Sequence, residues 1–277
     1  MSIPKWREPI INPFALDLSP LKLIEIRGYP HAGNDVFECL NQEGDAFYLK
    51  IARQQDSYFQ NEVQILHNLQ SSSIPIPKLL VYQIETPPFY LATKGIKGAR
   101  LSEIKIDSPY LYKFGESLGK IHQLHLNADP APNRRFHKYL KPNVIEEYQL
   151  TPYQQWLEKH VPTSKEQTFI HGDHHYANLL WDNHQLVGVL DWEFSGIGWK
   201  EFDLAWAIIL RPSQQFLKTA EEQQSFLNGY THHSHYDTET FNWCKVLIYL
   251  HFYIIGCKSN DAPYCKYIIE QLNELCH

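Results

Sequence analysis

The chain has 277 residues, with a hydrophobic fraction of 43% and a charged fraction of 20%. That is enough apolar matter for a sizeable core and the wrong balance for a disordered chain; the length predicts about two domains, or one domain in two lobes. A net charge of -6, from 25 Lys+Arg against 31 Asp+Glu, argues against a general nucleic-acid binder.

The opening segment, MSIPKWREPIINPF, has no apolar leader core. Leu21–Arg27 (LKLIEIR) alternates apolar and polar residues and predicts a strand. A loop with two glycines follows, Gly28–Asn34 (GYPHAGN). Asp35–Leu40 and Ala46–Ala52 read as two strands joined by the turn NQEGD. Within 54–70, Phe59, Val63, Leu66 and Leu69 fall on one helix face. Prolines bracket two more short strands, PKLLVYQIE and PFYLATK. Lys94–Gly98 (KGIKG) is the predicted linker, because two glycines fall close together after a strand pattern.

Beyond it the pattern is mainly helical. Leu111, Phe114, Leu118, Ile121 and Leu124 form an apolar stripe, and 127–143 is a loop rich in Pro, Asn and basic residues. Residues 201–210, 215–230, 239–257 and 261–276 predict further helices. A β island lies between them: Thr168–Ile170, Asn178–Trp181 and Val187–Trp192. The longest apolar stretch, Val246 to Cys257, has 12 residues and is too short to span a bilayer. The five cysteines form no CxxC pair and read as reduced thiols. A cytoplasmic protein with no membrane and no nucleic-acid partner is expected. Its predicted organisation is an antiparallel β lobe with one main helix (1–93), a linker (94–98) and a larger, mostly α-helical lobe (99–277). Residues 1–98 carry a net charge of -1 and the rest -5, which favours a neutral or cationic partner for the second lobe.

The segment FIHGDHHYANLLWDNHQLVGVLDWEFSGIGWKEFDLAWAII, residues 169–209, carries the chemistry. Asn178 lies five residues after Asp173, and Asp191 thirteen after Asn178, at the two ends of a predicted hairpin. A hairpin brings its ends together. An Asn amide oxygen and an Asp carboxylate are hard ligands suited to Mg²⁺ that is also held by phosphates. Asp173 would then stand near the metal without ligating it, placed to accept a proton from a hydroxyl.

HGDxxxxN followed by a strand ending in Asp191-Trp192-Glu193 resembles the aminoglycoside phosphotransferase family, which has a protein kinase-like fold and includes choline, thiamine, homoserine and fructosamine kinases. Glu201–Ala207 (EFDLAWA) extends the likeness. In the β lobe, Gly33-Asn34 resembles the nucleotide-covering loop. Lys50, in FYLKIA, resembles the lysine of the third strand, and Glu62, in NEVQILHNL, its partner on the following helix. Tyr90–Thr93, with Ala92 and Thr93 against the nucleotide, falls at the hinge. The loop does not spell GxGxxG, so phosphate cover would come from backbone N–H groups around Ala32–Asp35.

The resemblance implies an α+β, bilobal, protein kinase-like fold and a kinase that moves the γ-phosphate of ATP to a hydroxyl of a small molecule. Lys50 would pair with α- and β-phosphate oxygens and Glu62 would hold Lys50. Asn178 and Asp191 would bind Mg²⁺, and Asp173 would take the hydroxyl proton. Alternatives are a choline- or thiamine-type alcohol kinase, a nucleotide-binding regulator without turnover, and a metal-dependent hydrolase.

Fifteen histidines raise a metal site, but His171 and His175, four apart, flank a loop rather than a helix face. His171 is expected to buttress that loop, Asp203 to bond its backbone, and His232–His235 to be solvated. The aromatic residues of the second lobe, Trp206 among them, are expected in the core, with a few able to box a cationic acceptor.

Overall fold

A computed structural model describes residues 8–19, 21–29, 33–53, 58–163 and 166–276. Its first elements are β1 (Leu23–Gly28), β2 (Asp35–Asn41), β3 (Ala46–Ile51), α1 (Phe59–Leu69), β4 (Leu79–Gln83), β5 (Tyr90–Lys94) and α2 (Ser108–His122). There follow α3 (Pro142–Glu147), α4 (Thr151–Lys159), β6 (Gln167–Ile170), β7 (Leu179–Asp182), β8 (Gln185–Val189) and β9 (Gly196–Trp199). Four helices end the chain: α5 (Lys200–Ile208), α6 (Ala220–Thr231), α7 (Thr238–Lys258) and α8 (Ala262–Cys276). No described helix is long and apolar enough to cross a membrane.

The chain divides into two compact units. One takes the residues up to Arg100 together with Asn178–Ser195; the other takes Leu101–Ala177 and everything from Gly196 on. This differs from the expected partition at two places. The segment 94–98 is not a free linker: Gly95 N–H donates to the Ala46 carbonyl, and Ala99 and Trp181 exchange both backbone hydrogen bonds. The β7–β8 hairpin, read as part of the helical lobe, belongs to the first unit, where Val189 N–H also donates to the Pro75 carbonyl. Long-range backbone bonds of this kind leave no trace in a local pattern.

In the first unit five antiparallel strands take the order β1-β2-β3-β5-β4. Side chains on a strand alternate between faces. Phe37, Cys39, Phe47, Leu49, Ile51 and Ala92 pack into a core on one face. The other positions, among them Val36, Tyr48, Lys50 and Thr93, line a cavity. Helix α1 buries Phe59, Val63, Leu66 and Leu69, the four residues whose spacing predicted it. Asp35 is fully buried and accepts from Ile10 N–H (3.0 Å), Arg53 Nε (2.6 Å) and the Tyr29 hydroxyl. Burial works to raise its pKa, but these hydrogen bonds and the Arg53 charge outweigh it and hold the carboxyl below its ordinary value.

The second unit is mainly helical. Asp107 caps α2, Asp237 caps α7, and Thr219 with Glu222 forms a capping box on α6. Three elements had no expectation: α3, α4 and β9. Helix α4 (TPYQQWLEK) is short and polar, and β9 (GIGW) pairs with β6, about thirty residues upstream.

Helices α2 and α6 approach backbone to backbone through glycines. A Cβ at Gly115 would lie 1.8 Å from the Phe226 carbonyl oxygen, and one at Gly229 1.8 Å from that of Tyr112. No rotamer change relieves a clash with main chain, and overpacking costs about 1–3 kcal/mol, more where the backbone must move. Gly115→Ala and Gly229→Ala should each destabilise the protein by at least about 2 kcal/mol. Urea denaturation checks this, with Gly33→Ala, where an added methyl meets nothing within 4 Å, as the neutral control.

Candidate active site

Lys50 sits on β3 opposite Val36 and Leu91, on the face away from the core. Its side chain is 18% exposed, and Nζ lies 3.0 and 2.9 Å from the two Glu62 carboxylate oxygens and 2.5 Å from Asp191 Oδ1. Burial would lower the pKa of Lys50, but the carboxylates of Asp191, Glu62 and Glu193 outweigh it and raise it; the amine is charged at all ordinary pH. Glu62, on α1 and 2% exposed, has its pKa raised by burial against the pull of Lys50. These residues line a cavity of about 290 Å³ together with Gly33, Asn34, Thr93, Asn178 and Asp191, a volume near the small end of ligand sites.

The turn after β8 delivers the acidic groups. Asp191 has φ +68°, a left-handed conformation that Asp tolerates better than most residues. Leu190 N–H donates to the Asn178 carbonyl, joining the two ends of the hairpin. Asn61 Nδ2 donates to the carbonyls of Glu193 (3.0 Å) and Ser195 (2.9 Å), so α1 also holds the stretch behind Asp191. One carboxylate oxygen from each of Glu62, Asp191 and Glu193 lies within 4.8 Å of the others. All are hard oxygen donors, and with the Asn178 amide on the same cavity wall they fit Mg²⁺.

In the second unit, Asp173 follows β6 on a loop held from behind by Asp203 of α5. Asp203 is fully buried and accepts from the amides of His171 (2.9 Å) and Gly172 (3.1 Å) and from His122 Nε2 (3.2 Å). His171 Nδ1 accepts from the Asp173 amide at 3.2 Å, which buttresses the loop. His174 is buried, stacks on Phe114 and bonds Ser117; burial drives its pKa well down. Asp173 Oδ1 accepts from Trp206 Nε1 (2.8 Å) and Arg134 Nη1 (3.0 Å), and His175 Nε2 lies 3.8 Å from Oδ2.

A family model described as the phosphotransferase enzyme family matches residues 25–243, more than three quarters of the chain. The chain belongs to that family. Solved structures share its fold at low identity. An aminoglycoside phosphotransferase in ternary complex with ADP and hygromycin B is 14% identical, with 92% of this chain and 93% of that one covered and a TM-score of 0.66. An amicoumacin kinase in complex with AMP-PNP and Ca²⁺ is 16% identical (92% and 88% covered, TM-score 0.63). A microcompartment-associated aminopropanol kinase is 17% identical (91% and 90% covered, TM-score 0.62). The fold of this phosphotransferase is α+β and protein kinase-like.

Among the residues singled out in the sequence of this phosphotransferase, Lys50, Glu62, Gly33, Asn34, Thr93, Asn178 and Asp191 meet on one cavity. Ala92 does not: its side chain is fully buried in the opposite face, and β5 is paired on both edges, with β3 and β4. The linker side of β5, through Lys94 and Ile96, reaches the cavity instead. Ala32 lies outside the described residues. Asn61, Arg134 and Trp206 were not read as site residues. Trp206 could have been, one helical turn beyond Asp203; nothing local marks Asn61 or Arg134.

Burial works to raise the Asp203 pKa, but the His122 hydrogen bond and the neighbouring imidazoles outweigh it and hold it below 3.8. A depressed carboxylate contributes stability that is complete above the unfolded-state pKa and is lost as pH falls through the folded one. Asp203→Asn should therefore cost about 1–3 kcal/mol at pH 7. The gap between wild type and variant should narrow only below pH 3.8, as read by denaturant unfolding at stepped pH.

Proposed function

We propose that this enzyme transfers the γ-phosphate of ATP, with Mg²⁺, to a hydroxyl of a small molecule. The observation that carries the reading is Lys50 held between Glu62 and Asp191 on the wall of a cavity that also includes Asn178. A lysine amine kept charged and fixed in place suits phosphate oxygens. In this reading Lys50 binds the α- and β-phosphates, and Glu62 keeps it from swinging away. Gly33, Asn34 and Thr93 line the nucleotide cavity, with Lys94 and Ile96 taking the hinge place expected of Ala92. Asn178 and Asp191 hold Mg²⁺, which when bound neutralises charge on the phosphates. Glu193 stands ready as a further oxygen donor.

Asp173 orients the acceptor hydroxyl and receives its proton. Phosphoryl transfer asks for positioning and charge neutralisation more than for covalent work by the protein, and the loop under Asp173 is built for positioning. The structures bound to ATP analogues or ADP and to aminoglycoside or amicoumacin ligands support the same pairing of nucleotide and small-molecule acceptor here. A kinase drawing on ATP, whose five cysteines are thiols rather than disulfides, suits the cytoplasm.

An ADP-release screen over aminoglycosides, choline, ethanolamine, thiamine, homoserine and sugar amines tests the reading, with Mg²⁺-ATP supplied. At least one hydroxyl compound should raise ADP production above the no-acceptor rate. Asp173→Asn should lower that rate about 10²–10⁴-fold, and Lys50→Ala by a similar factor, with folding checked by circular dichroism. Turnover retained in Asp173→Asn would remove Asp173 from the role of base. ATP binding without turnover across the panel would favour a regulator.

A further inference from the structure

Arg134 comes from the irregular basic loop that precedes α3. Its Nη1 donates to the Gly172 carbonyl (2.5 Å) as well as to Asp173 Oδ1 (3.0 Å). The guanidinium lies 4.4 Å from the Trp206 ring centroid and 5.7 Å from that of Phe136. Its backbone N–H donates to His137 Nδ1 at 2.9 Å. Trp206, 4% exposed, points its own Nε1 at the same Asp173 oxygen. A second cation, Arg211, lies 4.8 Å from the Trp206 ring and donates to the carbonyls of Ile209 (3.2 Å) and Trp206 (3.0 Å).

We infer that Arg134 and Trp206 are positioning residues for Asp173: together they clamp Oδ1, fix the plane of the carboxylate and so direct Oδ2 toward the acceptor hydroxyl. The inference rests on the reading of Asp173 as the proton acceptor. Two donors from different elements on one oxygen leave the carboxylate little rotation, and stacking on Trp206 and Phe136 leaves the guanidinium little freedom of its own. Arg211 supports the arrangement by holding the Trp206 main chain.

The same clamp sets the charge state of Asp173. Among the described residues of its unit, Arg134, Arg211, His171 and His175 face it, with Asp203 behind the loop. His175 is held neutral, its pKa driven well down by burial and then by Arg211. His137, beneath Arg134, is lowered to about 4 by burial and then by the Arg134 charge. The contacting permanent charge is therefore the Arg134 guanidinium, which favours the ionised carboxylate.

The test is an NMR titration of full-length protein labelled at aspartate ¹³Cγ, with the Asp173 signal assigned by its loss in Asp173→Asn. Arg134→Gln should raise the Asp173 pKa by about one unit or more. Trp206→Phe, which keeps the ring and loses the donor, should raise it less. Arg134→Lys should fall between wild type and Arg134→Gln, and these two conservative variants carry the test if Arg134→Gln does not fold. With an acceptor found by the ADP-release screen, Arg134→Gln should lower kcat about 10–100-fold at unchanged KM for ATP. The acid limb of its pH profile should move to higher pH, and Arg134→Lys should recover part of the rate. An Asp173 titration that does not move in Arg134→Gln, or a loss confined to acceptor KM with the pH profile unchanged, overturns the inference. Full turnover in Asp173→Asn is a separate outcome: it overturns the base assignment on which the inference rests.

Discussion

A lysine amine taken out of water costs several kcal/mol unless opposite charge and hydrogen bonds replace the lost hydration. Lys50 meets that demand with three carboxylate oxygens from two residues. The partners come from separate segments: Glu62 from α1, Asp191 from the turn beyond β8. Sheet, helix and hairpin of the first unit are thus tied at one charged point. The dependence runs both ways, because Glu62, Asp191 and Glu193 crowd together and would repel one another without the ammonium between them. A site in which one cation balances a cluster of carboxylates can also take a second cation together with phosphate groups that bring their own negative charge.

The cavity around that point follows from strand alternation. Val36, Tyr48, Lys50 and Thr93 share a face because Val36 pairs with Lys50, Thr93 pairs with Tyr48, and Tyr48 and Lys50 lie two residues apart on one strand. The period-2 pattern and the α1 stripe were readable in the chain, as were Lys50, Glu62, Asn178 and Asp191, whose order along the sequence carries the family likeness. Ala92 was misjudged by one residue, and on a strand one residue is the other face. The partition of the hairpin was not readable either, since it rests on bonds such as Ala99 to Trp181, 82 residues apart.

The second unit shows why overall charge is a poor guide to a site. Its net acidity favoured a neutral or cationic partner, yet the side chains placed around Asp173 include two arginines. Burial lowers Arg211 to about 10, still charged at neutral pH. The Trp206 indole is faced by the protein's own guanidinium groups, Arg134 and Arg211. Asp203 and Asp173 divide the work by partners: one is fully buried and serves main-chain amides, the other, also buried at 8% exposure, is held by the Arg134 and Trp206 side chains.

The claim on which the rest stands is that the Lys50, Glu62 and Asp191 group is the phosphate-and-metal end of a nucleotide site. Calorimetric titration of ATP, with and without Mg²⁺, into wild type and Asp191→Ala addresses it directly. Mg²⁺ should tighten ATP binding to the wild type, and the enhancement should vanish in Asp191→Ala. Equal affinity with and without Mg²⁺ in the wild type, or an undiminished Mg²⁺ effect in the variant, would contradict it.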